Sequence, residues 1–149
     1  MWYALIAMAI LVLVGLSYYA GQLLWKLKQQ ESLKAQEKNK RIEYITDSIH
    51  HIAKAMKEEQ CEYSEGVLRI WVLLEHYNSE ISVPKDYGAL YLGFANLYQV
   101  IKDMPTHDAR KKLNKQERFK MDVKRWDAEK DNKEQINADL DGIIAEFSK

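Results

Sequence analysis

The chain has 149 residues, with 22 Lys plus Arg balanced by 22 Asp plus Glu, so it is formally neutral. That balance excludes a globally basic polyanion binder. The single cysteine excludes an intramolecular disulfide scaffold, and the length excludes an elaborate multidomain machine. Neutrality hides an asymmetry: residues 1–25 carry no charged side chain, and residues 26–41 carry six basic and two acidic ones. Residues 42–149 carry sixteen basic and twenty acidic side chains.

The uncharged run reads as a transmembrane helix over 1–25. As a helix it is about 36 Å long, enough for a hydrocarbon core of about 30 Å with some tilt. Eight of the thirteen residues from Ala4 to Leu16 are Leu, Ile or Val. Together they favour insertion by roughly 2.5–5 kcal/mol. Trp2 and Tyr3 suit one membrane interface, and Tyr18, Tyr19 and Trp25 the other. A cleaved signal peptide is the weaker reading. No basic residue precedes the apolar run, and Tyr18-Tyr19-Ala20 places a ring where cleavage wants a small side chain. Lys26, Lys28, Lys34, Lys38, Lys40 and Arg41 are expected to stay cytoplasmic, leaving the N-terminus outside and the C-terminal domain inside. The unpaired Cys61 agrees with a reducing compartment. Ser17 and Gly21 form a small-xxx-small pair that could bring two spans together as a homodimer, although small residues are common in spans.

Residues 26–41 read as a basic, polar helical stalk, because no Gly or Pro falls between Gly21 and Gly66. From there 42–149 reads as a helical cytoplasmic domain. Ile42, Ile45, Ile49, Ile52 and Met56 recur at steps of three and four and make one apolar stripe. Ser64 is expected to N-cap the next helix, with Tyr63 and Leu68 as its hydrophobic staple. That helix is apolar almost all round from Val67 to Leu74, which predicts the central, most buried member of the bundle.

Pro84 is expected to open a further helix, whose stripe is Tyr87, Leu90, Tyr91, Phe94, Leu97, Tyr98 and Ile101. Met104-Pro105-Thr106 should stop it, and Thr106 should cap a final helix from His107 to about Phe147. Leu113, Phe119, Val123, Trp126, Ile136, Leu140, Ile143 and Phe147 fall on or near one side of that helix. Glu129–Lys133 and Lys130–Glu134 make opposite-charge pairs at i,i+4, and a break near Asp131-Asn132 is an option. No alternating β pattern appears. The fold class is therefore all-α, with a bundle of about four helices and a long C-terminal helix.

Little chemistry is written in the sequence. His50 and His51 diverge by about 100° on a helix, His76 and His107 stand alone, and neither HExxH nor paired CxxC occurs, so no metal site is expected. The six glycines are scattered and form no phosphate loop, so no cofactor is expected either. A lone Cys61 is more often a small core residue than a nucleophile. No catalytic residue and no enzyme are inferred. The stripe of Tyr87, Tyr91, Phe94 and Tyr98 reads as bundle core rather than a ligand slot. One cluster runs against local physics. Arg110, Lys111, Lys112 and Lys115 crowd the first turns of the expected last helix, where the macrodipole favours anions. With Thr106 and His107 they make a candidate surface for phosphate or an acidic partner, set against the plainer reading of a solvated face.

Three stretches carry a resemblance: Gln60-Cys61-Glu62-Tyr63-Ser64-Glu65-Gly66 with Leu68-Arg69, then Val72-Leu73-Leu74, then Met104-Pro105-Thr106-His107-Asp108-Ala109-Arg110-Lys111. With the N-terminal span they resemble a family of small single-span proteins of Gram-negative bacteria, classed only as a domain of unknown function. The resemblance implies an inner-membrane protein with a helical cytoplasmic domain and supplies no activity. On its account Cys61, Ser64, Glu65 and Arg69 join Thr106, His107 and Arg110 as candidate site residues, and the two motif loops are expected to form one surface.

The resulting expectation is a non-enzymatic, membrane-anchored adaptor that holds a cytoplasmic protein partner at the inner membrane. The alternative is a tether for RNA or another anionic ligand through the basic segment 106–115. Nucleic acid is the less favoured partner, because the domain as a whole is net acidic.

Overall fold

The structure, a computed structural model, describes residues 2–105 and 107–148, with the backbone alone for His107. The expected cap and binding role of Thr106 lie outside the described residues. Among those residues there are six helices and no strand. They are α1 (Trp2–Lys57), α2 (Tyr63–Glu80), α3 (Tyr87–Leu90), α4 (Leu92–Ile101), α5 (His107–Lys111) and α6 (Lys115–Phe147). The chain divides into two compact units, Met1–Arg41 and Ile42–Lys149.

The first unit is helix throughout its described residues, and all of them from Trp2 to Arg41 are exposed. Its apolar stretch is long and apolar enough to cross a membrane. Within it the Ser17 hydroxyl donates to the Leu13 carbonyl at 2.8 Å, one turn back, and no atom lies near where a Gly15 or Gly21 side chain would stand.

The second unit is built on the last four turns of α1, where Ile45, Ile49 and Met56 of the expected stripe are buried together with Ala53, while Ile42 and Ile52 are half-buried at its edges. The helix ends with Glu59 in the left-handed region (φ 56°), and the Gln60 amide donates to the Ala55 carbonyl at 2.9 Å. This closing turn usually takes glycine. Val67, Ile70 and Leu74 of α2 join the core, but Val72 is exposed, so α2 is amphipathic rather than enclosed. The central position belongs to α4, which packs on α2, α3 and α6 and buries Gly93, Phe94, Leu97 and Ile101.

Three helix boundaries differ from those the sequence suggests. Ser64 is not the N-cap of α2. Glu62 holds that position, and Ser64 and Tyr63 lie inside the helix. Pro84 does not open a helix, because the Asn78 amide pins Lys85, donating to its carbonyl at 2.6 Å and accepting from its amide at 2.9 Å. The Asp86 carboxylate then caps α3 by accepting from the Ala89 amide at 3.1 Å. The stripe from Tyr87 to Ile101 is split at Tyr91, whose turn (φ −122°, ψ 73°) ends α3 and starts α4 and leaves Leu90 exposed rather than packed.

The fourth difference matters most for function. The helix expected over 107–147 is broken at Lys112–Asn114, which takes Leu113 out of the helix whose apolar side it was expected to join. Asn114 and Glu117 make a full capping box, with Glu117 N to Asn114 Oδ1 at 2.8 Å and Asn114 N to Glu117 Oε2 at 3.0 Å. From Lys115 the helix runs unbroken to Phe147, through Asp131-Asn132. Its core residues are Ile136, Leu140, Ile143 and Phe147, all in the second half.

Candidate functional site

α6 carries carboxylates that finish other helices. Glu129 Oε1 accepts from the Ser64 amide at 3.2 Å and from the Ser64 hydroxyl, so a side chain 65 residues away caps the start of α2. Asp139 does the same for α4 and is itself buried. Glu129 therefore faces Ser64, and neither i,i+4 ion pair expected at 129–134 forms among the described residues.

Beside Ser64 lies a cleft of about 470 Å³ where the two sequence motifs meet. Glu62 with Ser64, Glu65 and Leu68 of α2 forms one wall, Ile101, Met104 and Pro105 another, and Arg110, Met121, Asp122 and Arg125 the rest. An Arg110 Nη2 group donates to Asp122 Oδ2 at 2.7 Å and holds α5 against α6. That bond, with the Arg110, Arg125 and Arg118 charges, keeps the Asp122 carboxyl below the ordinary carboxylate range despite partial burial. Asp122 Oδ1 and Arg125 Nε are sealed from solvent and make no hydrogen bond among the described residues. The cleft adjoins a more apolar hollow of about 670 Å³, with which it shares Met104, Pro105 and Met121.

These motif segments lie inside a stretch, residues 13–143, that matches the model of a family of proteins of unknown function, DUF2489. The chain belongs to DUF2489. It is 41% identical over 132 residues to an uncharacterised protein of Haemophilus influenzae, covering 89% of this chain and 86% of that one. No solved structure matches it.

In this DUF2489 chain the candidate residues divide sharply. Ser64, Glu65 and Arg110 line the same cleft. Cys61 borders a neighbouring hollow with Met56, Tyr63, Trp126 and Glu129. Burial, then the Glu65 carboxylate, pushes the Cys61 thiol up, which disfavours the thiolate a nucleophile needs. Arg69 lies outside the cleft and pairs with Glu65 at 2.5 Å on the exposed face of α2, a helical i,i+4 contact. Among the described residues no three His, Cys, Asp or Glu side chains come together to hold a metal ion.

The basic cluster also changes meaning. Arg110 is engaged by Asp122, and Lys111 pairs with Asp108 at 3.0 Å. Both sit in the last turn of α5, at a carbonyl end where cations are favoured. Lys112 lies in the link between helices, and only Lys115 falls in the first turn of α6, behind the Asn114 cap. The apparent conflict with the macrodipole came from joining two helices into one. The side chain of His107 lies outside what the structure describes.

Sequence reasoning missed Asp122, Arg125 and Glu129 as cleft and cap residues, since nothing local marks their distant partners. It also placed Phe119 and Trp126 with the packed residues, whereas they are 64% and 53% exposed. Helix phase held the signal. At 100° per residue they stand about 80–100° round α6 from Ile136.

Proposed function

We propose that the chain is a membrane-anchored, non-enzymatic adaptor, crossing the bacterial inner membrane once through residues 1–25 with its bundle in the cytoplasm and holding a protein partner there. The observation that carries this reading is the division of labour within α6. Its second half closes the core, while its first half leaves Phe119 and Trp126 in solvent. Exposed large aromatics are characteristic anchors of protein interfaces. The uncovered apolar run of residues 2–25 supports the anchor, and the basic residues from Lys26 to Arg41 support the orientation. Restricting a partner to the membrane raises its effective concentration there with no chemistry required.

The RNA reading is less favoured. Residues 115–134 hold seven basic and six acidic side chains, not the sustained positive field a polyanion needs. In-cell cross-linking of the tagged full-length chain, with mass spectrometry of the products, tests the adaptor. One discrete cytoplasmic protein is the expected product. RNA, periplasmic proteins or the chain alone would overturn it.

A further inference from the structure

The first unit carries its basic residues on an unbroken rod. α1 runs as one helix from Trp2 to Lys57, so no hinge folds the charged stretch back towards the apolar run. Counted from Trp25, Lys26 and Lys28 stand about 1.5 and 4.5 Å further along the axis. Glu31 stands about 9 Å along, Lys34 about 13 Å, and Lys38 and Lys40 about 20 Å or more. With Trp25 at the interface, a headgroup layer about 5–8 Å deep takes in the first two lysines and leaves Glu31 above it. All these side chains are exposed, and the five lysines from Lys26 to Lys40 enter no ion pair among the described residues.

Resting on the single-span reading, we infer that Lys26 and Lys28 bind the phosphates of anionic lipids where α1 leaves the bilayer. Continuity with the span selects this occupant. Trp25 to Lys28 is less than one turn of helix, so the lipids around the apolar run also surround these two side chains. A soluble polyanion or an acidic protein would have to enter the headgroup layer to reach them. A zwitterionic headgroup sets its own cation against its phosphate, so a net-negative lipid is preferred, by about fivefold per lysine at the surface. The two lysines point about 160° apart round the helix, so they hold two separate lipids and do not clamp one headgroup. Lys38 and Lys40, eight or more residues above Glu31's turn of the rod than Lys28 is below it, stand too far out for an extended side chain to return to the bilayer.

The full-length chain in nanodiscs of equal parts phosphatidylcholine and phosphatidylglycerol, followed by native mass spectrometry of the released protein, counts the lipids it keeps. Phosphatidylglycerol should outnumber phosphatidylcholine among them at least fivefold. The double variant Lys26→Gln, Lys28→Gln should bring that ratio down to the mixture's own. Lys38→Gln, Lys40→Gln should leave it at the parent's value. Glutamine matches lysine in helix propensity and all four positions are exposed, so an unchanged circular dichroism spectrum verifies the fold. A parent ratio near one overturns the inference and leaves the span standing. An equal loss in the two double variants also overturns it, because the charge of the whole stalk would then act without regard to depth. So does a first variant that keeps the parent's ratio. If the parent does not enter the discs at all, the span reading and the inference fail together.

Discussion

Asp139 of α6 holds the first turn of α4, its Oδ2 accepting from the Gly93 amide at 2.8 Å and the Phe94 amide at 3.1 Å. Gln135 Nε2 donates to the other carboxylate oxygen at 3.0 Å. α4 has no cap of its own at Tyr91, so a tertiary carboxylate replaces the local one. Asp139→Ala strands two buried amides and should cost about 2–3 kcal/mol of stability. Urea unfolding of the full chain measures it. Asp139→Asn, which keeps an acceptor, should lose less.

Close helix crossings explain two glycines, Gly93 where α4 meets α6 and Gly66 where α2 meets the end of α1. A side chain at Gly93 would stand 2.7 Å from the Ile136 nitrogen and 2.9 Å from the Gln135 carbonyl carbon, both backbone atoms. At Gly66 it would stand against Met56 Sδ, the flexible end of a side chain. Both alanine variants should lose about 1–3 kcal/mol from overpacking. Adding Met56→Ala should relieve part of the Gly66→Ala penalty and none of the Gly93→Ala penalty. Equal rescue of the two would refute this account of the contacts.

Arg110 is the clasp of α5. Arg110→Ala removes the bond to Asp122 and should free the segment carrying Lys111 and Lys112 for tryptic cleavage. Limited digestion should show faster cutting there, with little change in global melting because the pair is half-exposed. A cleavage rate equal to the parent's would show that the clasp holds nothing.

Glu146 links α6 to the α3–α4 corner. Its carboxylate accepts from Lys85 Nζ at 2.6 Å, from the Tyr91 hydroxyl at 2.6 Å and from the Tyr87 hydroxyl at 3.2 Å. Burial alone would raise its pKa, but those bonds prevail and hold it below the ordinary carboxylate range. A depressed carboxylate contributes stability above its unfolded value of about 4.3, lost as pH falls through the folded value. Tyr87 and Tyr91 shift the other way. Burial, reinforced by Glu146, pushes both hydroxyls well above the usual tyrosine range. Their contribution is complete below about pH 10 and is lost as pH rises towards the folded values. Melting curves from pH 3 to 11 should decline at both ends. Glu146→Gln should flatten the acid limb, and the double variant Tyr87→Phe, Tyr91→Phe the alkaline one.

Glu59 adopts the left-handed conformation that closes α1. Glu59→Gly removes the side-chain penalty of that region and should stabilise the bundle by about 0.5–1 kcal/mol, net of the unfolded-state entropy that glycine adds. A rise in melting temperature at constant pH checks it. An unchanged or lowered value would show that the turn is not strained.

By itself the sequence determined the helical class, the apolar N-terminal run, and the core faces of α1, α4 and the second half of α6. Each is a matter of periodicity within a dozen residues, set by the 3.6-residue turn and side-chain hydrophobicity. The stripe of Ile45, Ile49 and Met56 was legible for that reason, as was the Phe94, Leu97, Ile101 face. The break at Asn114 was also written locally, in an Asn followed three residues later by Glu, a capping-box spacing that sits directly behind the basic run. The candidate site was legible only in part: the motif residues Ser64, Glu65 and Arg110 were named, but not Asp122, Arg125 or Glu129, which complete their surroundings. Tertiary structure alone decided those, because Glu129 caps Ser64 across 65 positions and Asp139 caps Gly93 across 46. A helix end is satisfied by any acceptor that arrives in space, and sequence separation leaves no trace of which one does. The same holds for Phe119 and Trp126. Hydrophobicity marks them for burial, but the phase of α6 and the extent of its partners leave them on the surface.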